Sequence, residues 1–217
     1  MTNSKNAREL FQAAYENRYT WDDNFPGYTA NLELKQGDET YSGKVIVNSD
    51  LSVEITEIAD EKVKESIYNQ MRDIITHRKR SDFEKSHGKN KFDLGESDAT
   101  GAVEILVTGD AMGSNYKVRG KEICQVSRVM GPMAFTINTK DSLDTGDGYI
   151  STGYNAIFRD SKTGDLKGKR DFVETYDKVG DYYLPSRQVI DAIDKDESNT
   201  TTEFNFSNIK LLEPAMV

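Results

Sequence analysis

The chain has little of what covalent, metal or membrane chemistry needs. One cysteine in 217 residues, Cys124, has no partner for an internal disulfide and excludes a cysteine-rich zinc site. Two histidines, His77 and His87, fall short of the ligand count that tetrahedral zinc usually takes. No apolar run approaches the roughly 20 residues of a bilayer-spanning helix. The opening MTNSKNARELF lacks the apolar stretch of a secretory signal. Basic side chains number 28 against 37 acidic ones, a net charge of −9, and so acidic a surface opposes dedicated nucleic-acid binding. The phosphate-binding G-x-x-x-x-G-K-S/T and G-x-G-x-x-G loops, H-E-x-x-H and G-x-S-x-G are all missing. These absences predict a soluble, cytoplasmic, non-catalytic chain that needs no cofactor or metal and does not span a membrane.

What is there is periodicity. Ala7, Leu10, Phe11, Ala14 and Tyr15 make one apolar stripe at helical spacing, predicting a helix over 5–19 with Ser4 as its cap. Val63, Ile67, Met71, Ile74 and Ile75 make a second over 60–79, where Asp60 is placed to cap and Glu61 to meet the positive end of the helix dipole. Between them, 28–57 alternates apolar and polar residues with turns at Gln36-Gly37-Asp38-Glu39 and Asn48-Ser49-Asp50, predicting a three-stranded antiparallel meander. Further strands are expected within 102–212, near 102–108, 115–130, 133–139, 148–159, 167–177, 182–193 and 200–212. A bulge near Gly120-Lys121 would account for the change of phase between Val118 and Ile123. The polar stretch 81–100, with Gly88 and Gly95, reads as a mobile loop. Short turns between alternating strands argue against a parallel βαβ fold. The expected fold is therefore α+β. It is a single domain, 1–217, with a strongly curved antiparallel sheet, an incomplete barrel, and two amphipathic helices on its concave face.

Few residues suggest chemistry. Cys124 lies inside a candidate strand, where a small core filler is the simpler reading than a nucleophile. Asp141, Asp144 and Asp147 flank Gly146 and Gly148, and their spacing fits turns rather than a calcium loop. His77 and His87 read as helix-end or solvated side chains. Arg78, Lys79 and Arg80 make 72–91 positive within a negative chain, either a solvated helix end or a docking patch for an anionic protein or lipid surface. Trp21, Phe25 and Tyr28 sit beside Asp22, Asp23 and Asn24, either as the mouth of a pocket or as the corner where the first helix enters the sheet.

The opening Ala7-Arg8-Glu9-Leu10-Phe11, the run Tyr19 to Tyr28 and the hairpin from Glu174-Thr175-Tyr176 to Tyr183-Leu184-Pro185-Ser186 resemble an uncharacterised family of cyanobacteria and plant plastids. That resemblance implies a photosynthetic lineage, plastid location for plant relatives, and no activity. The order of helix, meander, interrupting helix and long hairpins is similar to the LolA/LolB type of lipoprotein carrier. It implies a concave sheet face that holds acyl chains, although the signal or anchor of those carriers is not seen here.

Two functions follow as expectations. The first is a binding protein for a hydrophobic, lipid-like small molecule, held by Leu32, Leu34, Val45, Val47, Phe135, Ile137, Tyr154 and Phe158. The alternative is a protein–protein assembly or regulatory factor that docks through Arg78, Lys79 and Arg80.

Overall fold

Alternating segments become strands and the two helical stripes become helices. A computed structural model describes residues 2–109 and 114–213, with side chains from residue 6 onward. In chain order the elements are α1 (Thr2–Glu16), β1 (Gly27–Gln36), β2 (Glu39–Asn48), β3 (Val53–Thr56), α2 (Glu61–Arg78), α3 (Phe83–His87), β4 (Lys91–Ser97), β5 (Val103–Thr108) and β6 (Ser114–Arg119). There follow β7 (Glu122–Met130), β8 (Met133–Asp144), β9 (Tyr149–Asp160), β10 (Leu166–Val179), β11 (Tyr182–Asp194) and β12 (Asn199–Leu211). The strands hydrogen-bond in the order β3-β2-β1-β12-β11-β10-β9-β8-β7-β6-β5-β4, an open, mostly antiparallel sheet. Only β1 and β12 are neighbours in the sheet without being consecutive among the strands of their side, so nearly every connection is a local hairpin.

Three sequence expectations change. The stretch 81–100, expected as a mobile loop, holds α3 and β4. Asp82 caps α3 by accepting from the Lys85 N–H, and Phe83 and Phe92 are buried, so two aromatic anchors hold a stretch that is polar by composition. Gly120-Lys121 is a two-residue hairpin turn, and the expected bulge lies just beside it rather than at it. Gly120 takes φ of +61° there, which costs a glycine nothing and suits the twist of the flanking strands. The turn sets Val118 opposite Ile123, and the register shift follows between Lys117 and Val118: Lys117 pairs with Gln125, so Cys124 is the extra residue. The first helix ends at Glu16 rather than at 19, because the next residues bridge to a strand: Tyr149 N–H donates to Asn17 and Tyr19 N–H donates to Tyr149. Its expected cap, Ser4, lies outside the described side chains.

Contacts group the chain into two compact units. One unit takes α1, Ser81–Phe172 and Ala192–Asn199. In it, Ala7, Phe11, Ala14 and Tyr15 of α1 lie on Phe92, Ile105, Val107, Tyr116 and Val118, with Phe83 completing the cluster. The helical spacing of the first set and the period of two in the second put each set on one face, and their burial is the main stabilising term.

The other unit takes Thr20–Arg80, Val173–Asp191 and β12 from Thr200. Asp60 caps α2 as expected, its carboxylate accepting from Lys62 N–H at 2.9 Å and Val63 N–H at 3.1 Å. Ile67, Met71, Ile74 and Ile75 are the buried stripe of that helix. Of the two readings of the Trp21–Tyr28 run, the corner is the one built. Trp21 stacks on Phe25 at 4.2 Å and donates from Nε1 to the Tyr183 carbonyl, while Tyr28 is fully buried.

Candidate functional site

The eight residues expected to line a ligand site fall into two sets. Leu32, Leu34, Val45 and Val47 share one face of β1 and β2 and are almost wholly buried, so they are core of their unit and have no surface to offer. Phe135, Ile137, Tyr154 and Phe158 share one face of β8 and β9 in the other unit and are only half-buried.

Register explains why the second set forms a surface. Leu94, Ile105, Tyr116, Val126, Ile137 and Ala156 are successive cross-strand partners from β4 to β9, so they form one row on one face. Helix α1 packs on the β4–β6 end of that face. Toward β10 the same face continues as a partly open strip. Arg128, Phe135 and Phe158 are partners in the neighbouring row, with the two rings 6.4 Å apart. Tyr154 stacks on Phe172 at 4.6 Å. At the tip of the β7–β8 hairpin, Met130 and Met133 pair with 63% and 43% of their surface exposed. Methionine is a flexible apolar side chain suited to a surface that adapts to its ligand.

The opposite face of the same strands carries a polar ladder beside Val129, Ala134 and Ile157. Gln125 donates to Asn138, Asn138 donates to Asn155, and the Ser127 and Thr136 hydroxyls lie 3.2 Å apart. That amide ladder is the water-facing side by its chemistry, so the aromatic strip is the side that burial favours.

Two arginines border the strip. Arg128 donates from Nη2 to the Tyr116 hydroxyl at 3.0 Å, and the Arg170 guanidinium lies 5.6 Å over the Phe158 ring. Both are exposed, and among the described residues neither makes an ion pair with a carboxylate. The sequence reading missed them, together with Met130 and Val126, as parts of one strip. The signal was present: Val126-Arg128-Met130 and Arg170-Phe172 keep the period of two.

Other candidates take structural places. Arg78 is corrected most clearly: it is 6% exposed, with its guanidinium 5.4 Å over the buried Tyr176 ring, so it presents no charge for docking. Tyr176 in turn donates to Glu174, which also accepts from the buried Gln188. Lys79 and Arg80 are exposed. His87, expected at a helix end or solvated, ends α3 but is buried among Phe11, Tyr15, Phe83, Phe92 and Tyr116. Burial, with help from the Arg128 and Arg18 charges, lowers its pKa to about 4. Burial pushes the Cys124 thiol up, the wrong direction for an activated thiolate, and its Sγ lies against the Lys117 carbonyl. Asp144 accepts from Gly146 N–H as turn chemistry requires. No group of three or more His, Cys, Asp or Glu side chains suited to a metal occurs among the described residues. No helix among them is long and apolar enough to cross a membrane.

Comparison with known proteins gives a family. A family model described as a protein of unknown function, DUF3386, matches residues 2–212. No curated protein matches. The chain is similar to a solved DUF1329 family protein from Desulfovibrio piger, at 9% identity and a TM-score of 0.35, covering 99% of this chain and 95% of that one. It is similar also to a LolA superfamily protein from Nitrosomonas europaea, at 9% identity and a TM-score of 0.27, covering 95% and 94%. A third similar structure is MucB in complex with MucA, at 10% identity and a TM-score of 0.23, covering 95% and 99%.

Proposed function

We propose that this chain, which belongs to the DUF3386 family of proteins of unknown function, binds a hydrophobic, lipid-like small molecule on the strip of β7–β10 and does so without catalysis. One observation carries this reading. Phe135, Ile137, Tyr154, Phe158 and Phe172 line one continuous face yet are only partly covered, where an ordinary core face is fully covered. Leu32, Leu34, Val45 and Val47 leave the ligand set, and Met130 and Met133 join it. Burying a ligand there removes apolar surface from water at about 25 cal/mol per Å² on each side.

Nile red, an uncharged dye whose emission rises and shifts to the blue in apolar surroundings, tests this reading. Wild-type protein should bind it saturably. The variant Ile137→Glu/Phe158→Glu places carboxylates in the strip and should lose at least about tenfold in affinity, about 1.4 kcal/mol, with the far-UV circular dichroism unchanged. Dye binding that is absent, or indifferent to both substitutions, rejects the site.

The runner-up is docking of an anionic partner, reduced now to Lys79 and Arg80, whose exposure favours it. Charge reversal at these two should then abolish a salt-sensitive pull-down.

A further inference from the structure

We infer that the ligand of this strip is a single-chain amphiphile with an anionic head, a long-chain carboxylate, and that Arg128 and Arg170 recognise the head. The inference rests on the binding reading above and goes beyond it in naming the ligand's charge and shape.

Charge is the first argument. The chain carries −9 overall, so its average field repels anions. What sets Arg128 and Arg170 apart is their place: both are exposed, neither makes an ion pair with a carboxylate among the described residues, and both border the partly open aromatic strip. Arg128 spends one donor on the Tyr116 hydroxyl and keeps the rest of its fork. Arg170 rests against the Phe158 face, which orients a guanidinium and leaves its edge N–H groups outward. A planar carboxylate matches that fork with two parallel hydrogen bonds.

Shape is the second. Arg128, Phe135 and Phe158 are partners in register and Arg170 lies over the Phe158 ring, so a head held at either edge puts its tail directly onto apolar side chains. The strip spans about 14 Å from β7 to β10, and about 20 Å along β8 from Met133 to Thr139, by ordinary strand spacing and rise. That is room for one extended acyl chain, not for a two-chain lipid. The methionine pair at the hairpin tip closes one end of the strip with flexible apolar surface.

The test compares two fluorescent probes that differ only in the head, cis-parinaric acid and its methyl ester, on wild-type protein and on Arg128→Gln/Arg170→Gln. The expected result is acid binding at least about tenfold tighter than ester binding in the wild type, a preference that shrinks as salt rises. In the double variant the acid should fall to the level of the ester, while the ester keeps its wild-type affinity and so certifies the apolar strip as intact. Equal binding of the two probes by the wild type, or an acid preference that survives the double substitution, overturns the inference and leaves the binding site standing. If neither probe binds, the site itself is wrong and the inference goes with it.

Discussion

His87 offers the sharpest test of the α1 unit. Its ring is 9% exposed, edge-on to Phe11 at 5.1 Å and Tyr15 at 4.9 Å, so the neutral form is the one the fold accepts. Burial chiefly, then the Arg128 and Arg18 charges, holds its pKa at about 4 against 6.5 for a free imidazole. The folded pKa is the lower one, so between these values the unfolded chain binds more protons and stability must fall as the pH falls. The stability is intact above pH 7. It drops by about 2 kcal/mol at pH 5 and by about 3 kcal/mol below pH 4, from 1.36 kcal/mol for each pH unit between the two pKa values. Urea unfolding followed by far-UV circular dichroism at pH 7, 6 and 5 measures it, comparing wild type with His87→Gln. The variant removes the titrating group and should lose about 2 kcal/mol less than wild type between pH 7 and 5, a window above most carboxylate titration. Parallel losses in the two proteins would refute the buried, neutral imidazole.

Three further outcomes follow from the packing. The Tyr28 hydroxyl is fully buried without a hydrogen-bond partner among the described residues, and burial raises its pKa. Tyr28→Phe should therefore leave urea stability unchanged or raise it by about 1 kcal/mol, since the orphaned group's desolvation cost disappears; a clear loss would mean that the hydroxyl is satisfied. Gly148 sits at φ of +142°, and a Cβ there would stand 2.6 Å from the Asn17 carbonyl oxygen and 2.9 Å from the Tyr19 nitrogen. Gly148→Ala should lower the thermal midpoint by the equivalent of about 2 kcal/mol or more. Asp60→Ala removes two capping hydrogen bonds from α2 and should cost about 1 kcal/mol in urea unfolding, with Asp60→Asn recovering most of it.

Local pattern made most of this fold legible. Strict alternation marks β1–β3 and the long later hairpins, and Asp60 fixes the start of α2 because a cap acts within one turn. Segment 81–100 was illegible for the opposite reason. Its order comes from Phe83 and Phe92 entering a core that Phe11 and Tyr116 complete, and those partners lie far off in sequence. The candidate site divides on the same line. Period two correctly grouped Leu32 with Leu34 and Phe135 with Ile137, since facing is local. It does not say how completely a face is covered, and coverage separates the buried β1–β2 set from the open β8–β9 set. Arg78 opens the basic run Arg78-Lys79-Arg80, and its guanidinium turns inward onto Tyr176, nearly a hundred positions later.

Native mass spectrometry of freshly purified protein tests the binding site most directly, run before and after denaturing extraction and repeated on Ile137→Glu/Phe158→Glu. The account predicts an excess mass on the wild type, of the size of one acyl amphiphile, that extraction removes and the double variant lacks. Bare wild-type chain, even after incubation with a total lipid extract, would contradict it.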